Sequence, residues 1–244
     1  MRDYALEVQN RIRFIRRCLL TANAQGIVFG NSGGKDSALV GILCKLAWDN
    51  TVGLIMPCRS QRSYQQDRMD AAEVAKAFNI ETRVVDLQPP LSALEAALGI
   101  VTSPTESALV NVAPRLRMTV LYAVAASENR LVAGTGNRSE TYMGYFTKWG
   151  DGACDFNPIA DLTATEVYQF LRFLEAPAAI LDKEPSAGLY DGQTDEGEMG
   201  ISYGCIDTFL LGGSVTEEER DIMERYHRTS EHKRRMPLVY GGRL

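Results

Sequence analysis

Along the first two thirds of the chain, apolar residues gather in short unbroken runs, separated by stretches where they recur at helical spacing. Leu6, Ile12, Ile15, Leu19 and Leu20 stand among charged residues over 3–22, which predicts an amphipathic N-terminal helix. Gly26-Ile27-Val28-Phe29-Gly30 is an apolar run of strand length, and a glycine turn divides it from a helical stretch from Asp36 to Trp48. The alternation continues with a strand at Thr51–Met56, a helix at Tyr64–Phe78 and a strand at Thr82–Leu87. Helices over Leu91–Leu98 and Val110–Ser127 then lead to a strand at Arg130–Gly134. Apolar strands alternating with helices predict βαβ units, and their right-handed crossovers place helices on both faces of a parallel sheet. The expected fold class is therefore α/β, a doubly wound, Rossmann-like parallel sheet flanked by helices.

Beyond residue 140 the pattern weakens. Loops rich in Gly and Asp (Gly144–Asp155 and Pro185–Gly200) alternate with helices expected at Ala164–Glu175 and Thr216–Tyr226. No internal repeat or low-complexity linker interrupts the chain, so one domain over 1–244 with an irregular C-terminal third is expected. A content of 45% hydrophobic and 23% charged residues fits a globular chain and disfavours disorder.

Charge and cysteine usage narrow the partners. The 26 Lys and Arg against 31 Asp and Glu leave a net charge of −5, the wrong sign for a nucleic-acid binder. A local basic cluster (Arg228, His232, Lys233, Arg234 and Arg235) stands out against that background. The apolar stretch Ala38–Cys44 is closed by Lys45, far short of the roughly 18 residues a membrane span needs, and no signal core follows the N-terminus. Five scattered cysteines without a CxxC pair, and only two histidines, point away from zinc and from a disulfide framework. A soluble cytoplasmic protein, binding neither nucleic acid nor membrane, is expected.

The chemistry concentrates in the turn after the first strand, Gly30-Asn31-Ser32-Gly33-Gly34-Lys35-Asp36-Ser37. Consecutive glycines let backbone N–H groups line a concavity, and the following helix N-terminus adds partial positive charge, so the turn suits a phosphate. It is not a Walker loop, since Phe29 stands where the first glycine belongs and Asp36 follows Lys35 where Ser or Thr is required. An acidic residue in a phosphate loop repels its ligand unless a divalent cation lies between them, which marks Asp36 as a magnesium ligand.

Ser32-Gly33-Gly34-Lys35-Asp36-Ser37 resembles the SGGxDS signature of the ATP pyrophosphatases, the PP-loop enzymes of the adenine nucleotide alpha hydrolase type. Further segments resemble the ammonia-dependent NAD synthetases over nearly the whole chain. They are Arg115-Leu116-Arg117-Met118, Gly134 to Glu140, Gly144 to Gly152 with Asp155, Asn157 and Pro158, Lys183 to Ala187 with Asp195 and Glu196, and Glu231 to Arg234. The resemblance implies a ligase that uses ATP to adenylylate the carboxylate of nicotinic acid adenine dinucleotide. Ammonia then displaces AMP to give the amide of NAD. It places ATP on Gly30, Asn31, Ser32, Gly33, Gly34, Lys35, Asp36 and Ser37, with Thr135 and Ser186. It gives magnesium to Asp36 and Glu140, and the dinucleotide to Arg115, Lys148, Asp155, His232 and Lys233. Asp36, Glu140 and Asp155 are then the catalytic candidates, Asp155 either taking a proton from ammonium or only binding substrate.

The resemblance also implies a homodimer with substrate at the interface; the N-terminal helix and residues 110–127 are candidates for the contact. No glutaminase segment accompanies the synthetase-like region, so ammonia is expected free or delivered by another protein. Two departures stand out. Ala164 occupies a position where relatives carry a lysine on the triphosphate, and Arg59, Arg62 or Arg68 is a candidate substitute. Cys154 and Cys58 read as small buried hydrophobes rather than reactive thiols. Two other readings stay open: a PP-loop enzyme transferring sulfur or an amide group on RNA, and a non-catalytic nucleotide-binding protein.

Overall fold

Alternate side chains of a strand point to opposite faces of its sheet, and the first apolar run uses both. The computed structural model describes residues 2–58, 62–182, 195–237 and 239–241. In chain order its elements are α1 (Tyr4–Ala22), β1 (Gly26–Gly30), α2 (Lys35–Ala47), β2 (Thr51–Ile55), α3 (Arg62–Ala77) and β3 (Glu81–Val84). Then follow α4 (Gln88–Val101), α5 (Glu106–Val110), α6 (Val112–Glu128), β4 (Arg130–Ala133) and α7 (Arg138–Met143). The last third holds α8 (Ala164–Phe173), α9 (Ala178–Leu181), α10 (Asp195–Met199), α11 (Tyr203–Leu210), α12 (Glu217–Thr229) and α13 (Glu231–Arg234).

The strands are parallel, in the order β3-β2-β1-β4. Ile27 and Phe29 of β1 pack on one face with Ile15 and Leu19 of α1, Leu39 and Leu43 of α2, and Phe170 of α8. Val28, with Val52, Leu54 and Val132 beside it, packs on the other face against Leu91 of α4 and Met118 and Leu121 of α6. The doubly wound parallel sheet expected from the apolar runs is thus the fold found. A third apolar cluster, built from α7, α10, α11 and α12 around Met143, Met199, Ile206 and Met223, sits in the last third. Ion pairs tie α1 to the segment before α8: Arg11 meets Asp161 at 2.8 Å and Glu7 at 2.8 Å. Among the described residues, no helix is long and apolar enough to cross a membrane.

The differences from the expected elements have local causes. The helix expected over 110–127 is found as α6, and a separate short helix, α5, precedes it across Asn111; Pro114 lies in the first turn of α6, where its missing N–H leaves no helical bond unmade. β3 ends at Val84, yet Val85 and Leu87 still donate to the Ile55 and Pro57 carbonyls, so the expected extended run to 87 keeps its ladder partners. The loop expected over 185–200 ends in helix α10. Helices α7 and α11 span too few residues for a helical apolar period to declare itself.

Phe29 is almost fully buried at the centre of the sheet, flanked in register by Gly53 and Ala133. Phe29→Ala is expected to destabilise the protein by about 3–5 kcal/mol, read as a lowered urea midpoint at unchanged m-value.

Candidate active site

Ligands of open α/β sheets bind beyond the carboxyl ends of the strands, where neighbouring connections leave in opposite directions. Here β1 leads through α2 to β2 on one side, while β4 lies on its other side. The loops following β1 and β4 therefore part, and the crevice between them gathers the acidic residues.

The loop after β1 is built around one left-handed backbone position, Gly33 at φ 75°, which a side chain would strain. Ser32 and Ser37 hydroxyls lie 3.0 Å apart, and Ser37 Oγ also donates to the Gly34 carbonyl at 2.9 Å, closing the loop on the first turn of α2. Gly34 is the N-cap of α2, so the first-turn N–H groups and the positive end of the helix dipole face the loop. Gly30 ends β1, Asn31 to Gly34 form the turn, and Lys35, Asp36 and Ser37 open α2.

The loop after β4 carries Thr135 and ends in Asn137, fully buried at the start of α7. Asn137 and Glu140 form a capping box: Glu140 N donates to Asn137 Oδ1, and Asn137 N donates to Glu140 Oε2, each at 3.0 Å. The remaining polar end of Asn137 crosses the crevice, its Nδ2 donating to Asp36 Oδ1 at 3.0 Å. One asparagine thus brings Asp36 and Glu140 together. From below, Ser139 donates to the buried Asp207, whose other oxygen accepts from Thr165 N at 2.7 Å, locking α7 to α8 and α11.

The electrostatics follow from burial. Desolvation, then the neighbouring Asp36 charge, pushes the Glu140 carboxyl up to about 8, against the opposing effect of Lys35. Lys35 is buried and donates to Asp36 Oδ2 at 2.6 Å. Desolvation opposes its charge, but Asp36 and Glu140 outweigh it and raise the ammonium above the ordinary lysine value. Tyr203 donates to Asp195 Oδ2 at 3.0 Å, and burial with the nearby carboxylates raises its hydroxyl far above the usual range. Two adjacent carboxylates, completed by phosphate oxygens and water, are the donor set magnesium favours, so Asp36 and Glu140 fit the ion.

A second group lies on the C-terminal side. Arg115 Nε donates to the Lys148 carbonyl at 3.3 Å, and Lys148 Nζ donates to the carbonyls of His232 and Arg235. Lys233 Nζ donates to the carbonyls of Gly144 and Phe146 at 2.8 and 2.9 Å; burial, with Arg115 and Arg234 nearby, lowers its pKa. Arg234 meets the carbonyls at the ends of α7 and α12. The basic tail is therefore docked, and Arg115, Lys148, His232 and Lys233 form one cluster.

Asp155 stands apart, beside β4. Its Oδ2 accepts from Val132 N at 2.8 Å and its Oδ1 from the Tyr122 hydroxyl at 3.2 Å. Burial and Asp155 push that hydroxyl up to about 12. Tyr122 and Arg115 lie two turns, about 10 Å, apart along α6, so Asp155 meets that helix two turns from the residue that joins the basic cluster.

Ser186, Arg59 and the side chain of Arg62 lie outside the described residues, and Arg68 is exposed on α3. Ala164 is buried in the third apolar cluster. Cys58 is buried, and desolvation raises the Cys154 thiol, as suits small hydrophobes rather than thiolates. Sequence reasoning gave no role to Asn137, Ser139, Asp207 or Tyr203. For Asn137 a signal existed, the Asn-x-x-Glu spacing of a capping box.

The NAD synthase family profile matches residues 7–237. The chain is 48% identical over 236 residues to the NH3-dependent NAD(+) synthetase of Carboxydothermus hydrogenoformans, covering 96% of each chain. The structure of NMN synthetase from Francisella tularensis superposes with a TM-score of 0.92 at 38% identity, covering 98% of this chain and 99% of that one. The NH3-dependent NAD synthetase of Campylobacter jejuni, solved with nitrate, superposes with a TM-score of 0.80 at 30% identity over 98% and 99% of the two chains.

Two predictions come from this geometry. Folded Glu140 keeps its proton to about pH 8, whereas the unfolded chain releases it near 4.5, so its contribution to stability is lost as pH rises through that window. Glu140→Gln is expected to melt at a higher temperature than the parent at about pH 9 in chelator, with the advantage vanishing near pH 4.5. At Gly144, φ is 68° and an added Cβ would meet Ser230 at 2.1 Å. Gly144→Ala should therefore release the docked tail, seen as faster tryptic cleavage at Arg234 and Arg235.

Proposed function

The chain belongs to the NAD synthase family, and from that premise we propose that it amidates nicotinic acid adenine dinucleotide with ammonia at the expense of ATP. The observation that carries this reading is the crevice beyond β1 and β4. There a phosphate-type loop on the α2 N-terminus meets two carboxylates joined through Asn137.

A carboxylate resists nucleophiles because its charge is delocalised and oxide is a poor leaving group. The substrate carboxylate attacks the α-phosphorus of ATP, its P–O bond forming as that to pyrophosphate breaks. Ammonia then attacks the acyl carbon, loses a proton, and expels AMP. In this reading the loop N–H groups of Gly33 to Ser37 hold the phosphates, and Thr135 and Ser186 add contacts. Asp36 and Glu140 would hold magnesium, which when bound would supply neutralisation of charge on the phosphates. The residues' work is positioning and electrostatic stabilisation rather than covalent chemistry. Arg115, Lys148, His232 and Lys233 suit an anionic substrate, and Asp155, which meets α6 at Tyr122, is assigned to a different part of a long one.

We also assign a homodimer to this reading. Of the two candidate contact helices, α1 exposes Leu6 and Leu20 and α6 exposes Tyr122, apolar groups that suit a second copy. Thiols without disulfide partners agree with a cytoplasmic setting.

A second reading concerns substrate length. The greater similarity to the Francisella NMN synthetase than to the Campylobacter NAD synthetase favours testing the mononucleotide acid beside the dinucleotide. The protein is incubated with ATP, Mg²⁺, ammonium and either acid, and AMP, pyrophosphate and amide are measured. Equal yields of AMP and amide are expected, with the ratio of kcat/KM deciding between the acids. Asp36→Asn should lower kcat by about 100-fold or more. No AMP with either acid would overturn the reading.

A further inference from the structure

The cation of a phosphate loop ordinarily faces its ligand, but here the Lys35 side chain turns into the protein and is 5% exposed. Its Nζ donates to Asp36 Oδ2 at 2.6 Å and stands 5.7 Å from the centre of the Tyr168 ring and 5.5 Å from that of Tyr203. An ammonium so far from water is sustained by opposite charge and by aromatic faces, and both are present. Glu140 lies in the same cluster, close enough to bear on the Lys35 charge, and Asp195 is fixed there by the Tyr203 hydroxyl. Both oxygens of Asp36 are therefore engaged, Oδ1 by the neutral Asn137 amide and Oδ2 by a cation. A divalent ion arriving at Asp36 meets a positive charge already in contact with the oxygen it needs.

We infer that Lys35 is the internal counter-ion of the metal-free site: its ammonium holds the Oδ2 side of Asp36 that a divalent cation takes, and leaves that oxygen when the cation binds. The inference rests on the reading that Asp36 and Glu140 hold magnesium. Without Lys35 the Asp36 carboxylate would stand beside the buried Glu140 with no neutralising charge, so the resident ammonium keeps the pair together before the metal arrives. The exchange makes metal binding by the empty protein weaker than two carboxylates alone would give. Metal that arrives with ATP is favoured in compensation, since the displaced ammonium then has phosphate charge beside it. Lys35 acts through Asp36 and is a positioning residue.

Mn²⁺ binding to the ATP-free protein, followed by titration calorimetry, tests this directly. Lys35→Met is expected to bind Mn²⁺ about tenfold or more tightly than the parent, because a unit charge at contact distance has been removed. Lys35→Arg, which keeps the charge, is expected to show no such gain. A merely structural role for Lys35 gives the opposite result, weaker binding in Lys35→Met, and equal or weaker binding overturns the inference. If Lys35→Met does not fold, the parent protein labelled with ¹⁵N-lysine decides the matter, with the Lys35 ammonium signal assigned through Lys35→Arg. That signal should shift on saturation with Mg²⁺, and an unmoved signal overturns the inference. Asp36→Asn separates the two levels. If it binds Mn²⁺ as the parent does, the magnesium reading itself fails and the inference falls with it. If it loses binding while Lys35→Met merely matches the parent, only the inference fails.

Discussion

Two loops that leave the sheet in opposite directions make a crevice, and nothing in the sheet itself fixes how wide it is. Asn137 does. Its backbone N–H and side-chain oxygen complete the cap of α7 with Glu140, and its amide nitrogen reaches Asp36 on the far side. Because it is fully buried, each of these bonds has to be made; an unmet one would leave the desolvation of that group uncompensated. The register of α7 against α2, and with it the approach of the two carboxylates, follows from that one side chain. Ser139 and Asp207 steady the same turn from beneath, through α8 and α11.

Bringing two carboxylates together away from water has an electrostatic consequence that the neighbourhood absorbs in two ways. Glu140 retains a proton into the neutral range, and Lys35 places a full positive charge on Asp36. A divalent cation would replace both devices at once, releasing the proton and freeing the ammonium. The buried tyrosines and carboxylates around Lys35 therefore belong to the same arrangement as the glycine loop after β1.

The sheet could be read from the chain because each buried strand must be apolar on both faces, and β1, β2 and β4 are short, closed runs of that kind. The glycine turn after β1 was legible for a related reason. Consecutive glycines before a helix start suit an anion, and an acidic Asp36 shortly after them suits a cation beside it. The short helices α7 and α11 were not, since a helix of two turns carries no reliable period. His232 and Lys233 of the basic tail were assigned to substrate through the resemblance. In the fold Lys233 and Arg234 also serve backbone carbonyls at the ends of α7 and α12 and in the loop after α7, an assignment that charge cannot reveal. Asp155 was assigned to substrate by resemblance, and the fold adds that its carboxylate accepts from Tyr122 of α6 and Val132 of β4.

The sequence by itself determined the layered α/β architecture, the position of the glycine turn after β1 and the residue types that a phosphate and a hard cation require. These are local properties, set by side-chain period, backbone freedom and charge. The tertiary structure alone decided which of those residues meet: that Lys35 turns inward onto Asp36, that Asn137 spans the crevice, and that the C-terminal tail folds back onto the loop after α7. The last two of these join residues 101 and 87 positions apart in the chain, and all three depend on the order of the strands in the sheet and on which polar groups are left to find partners once the core has closed.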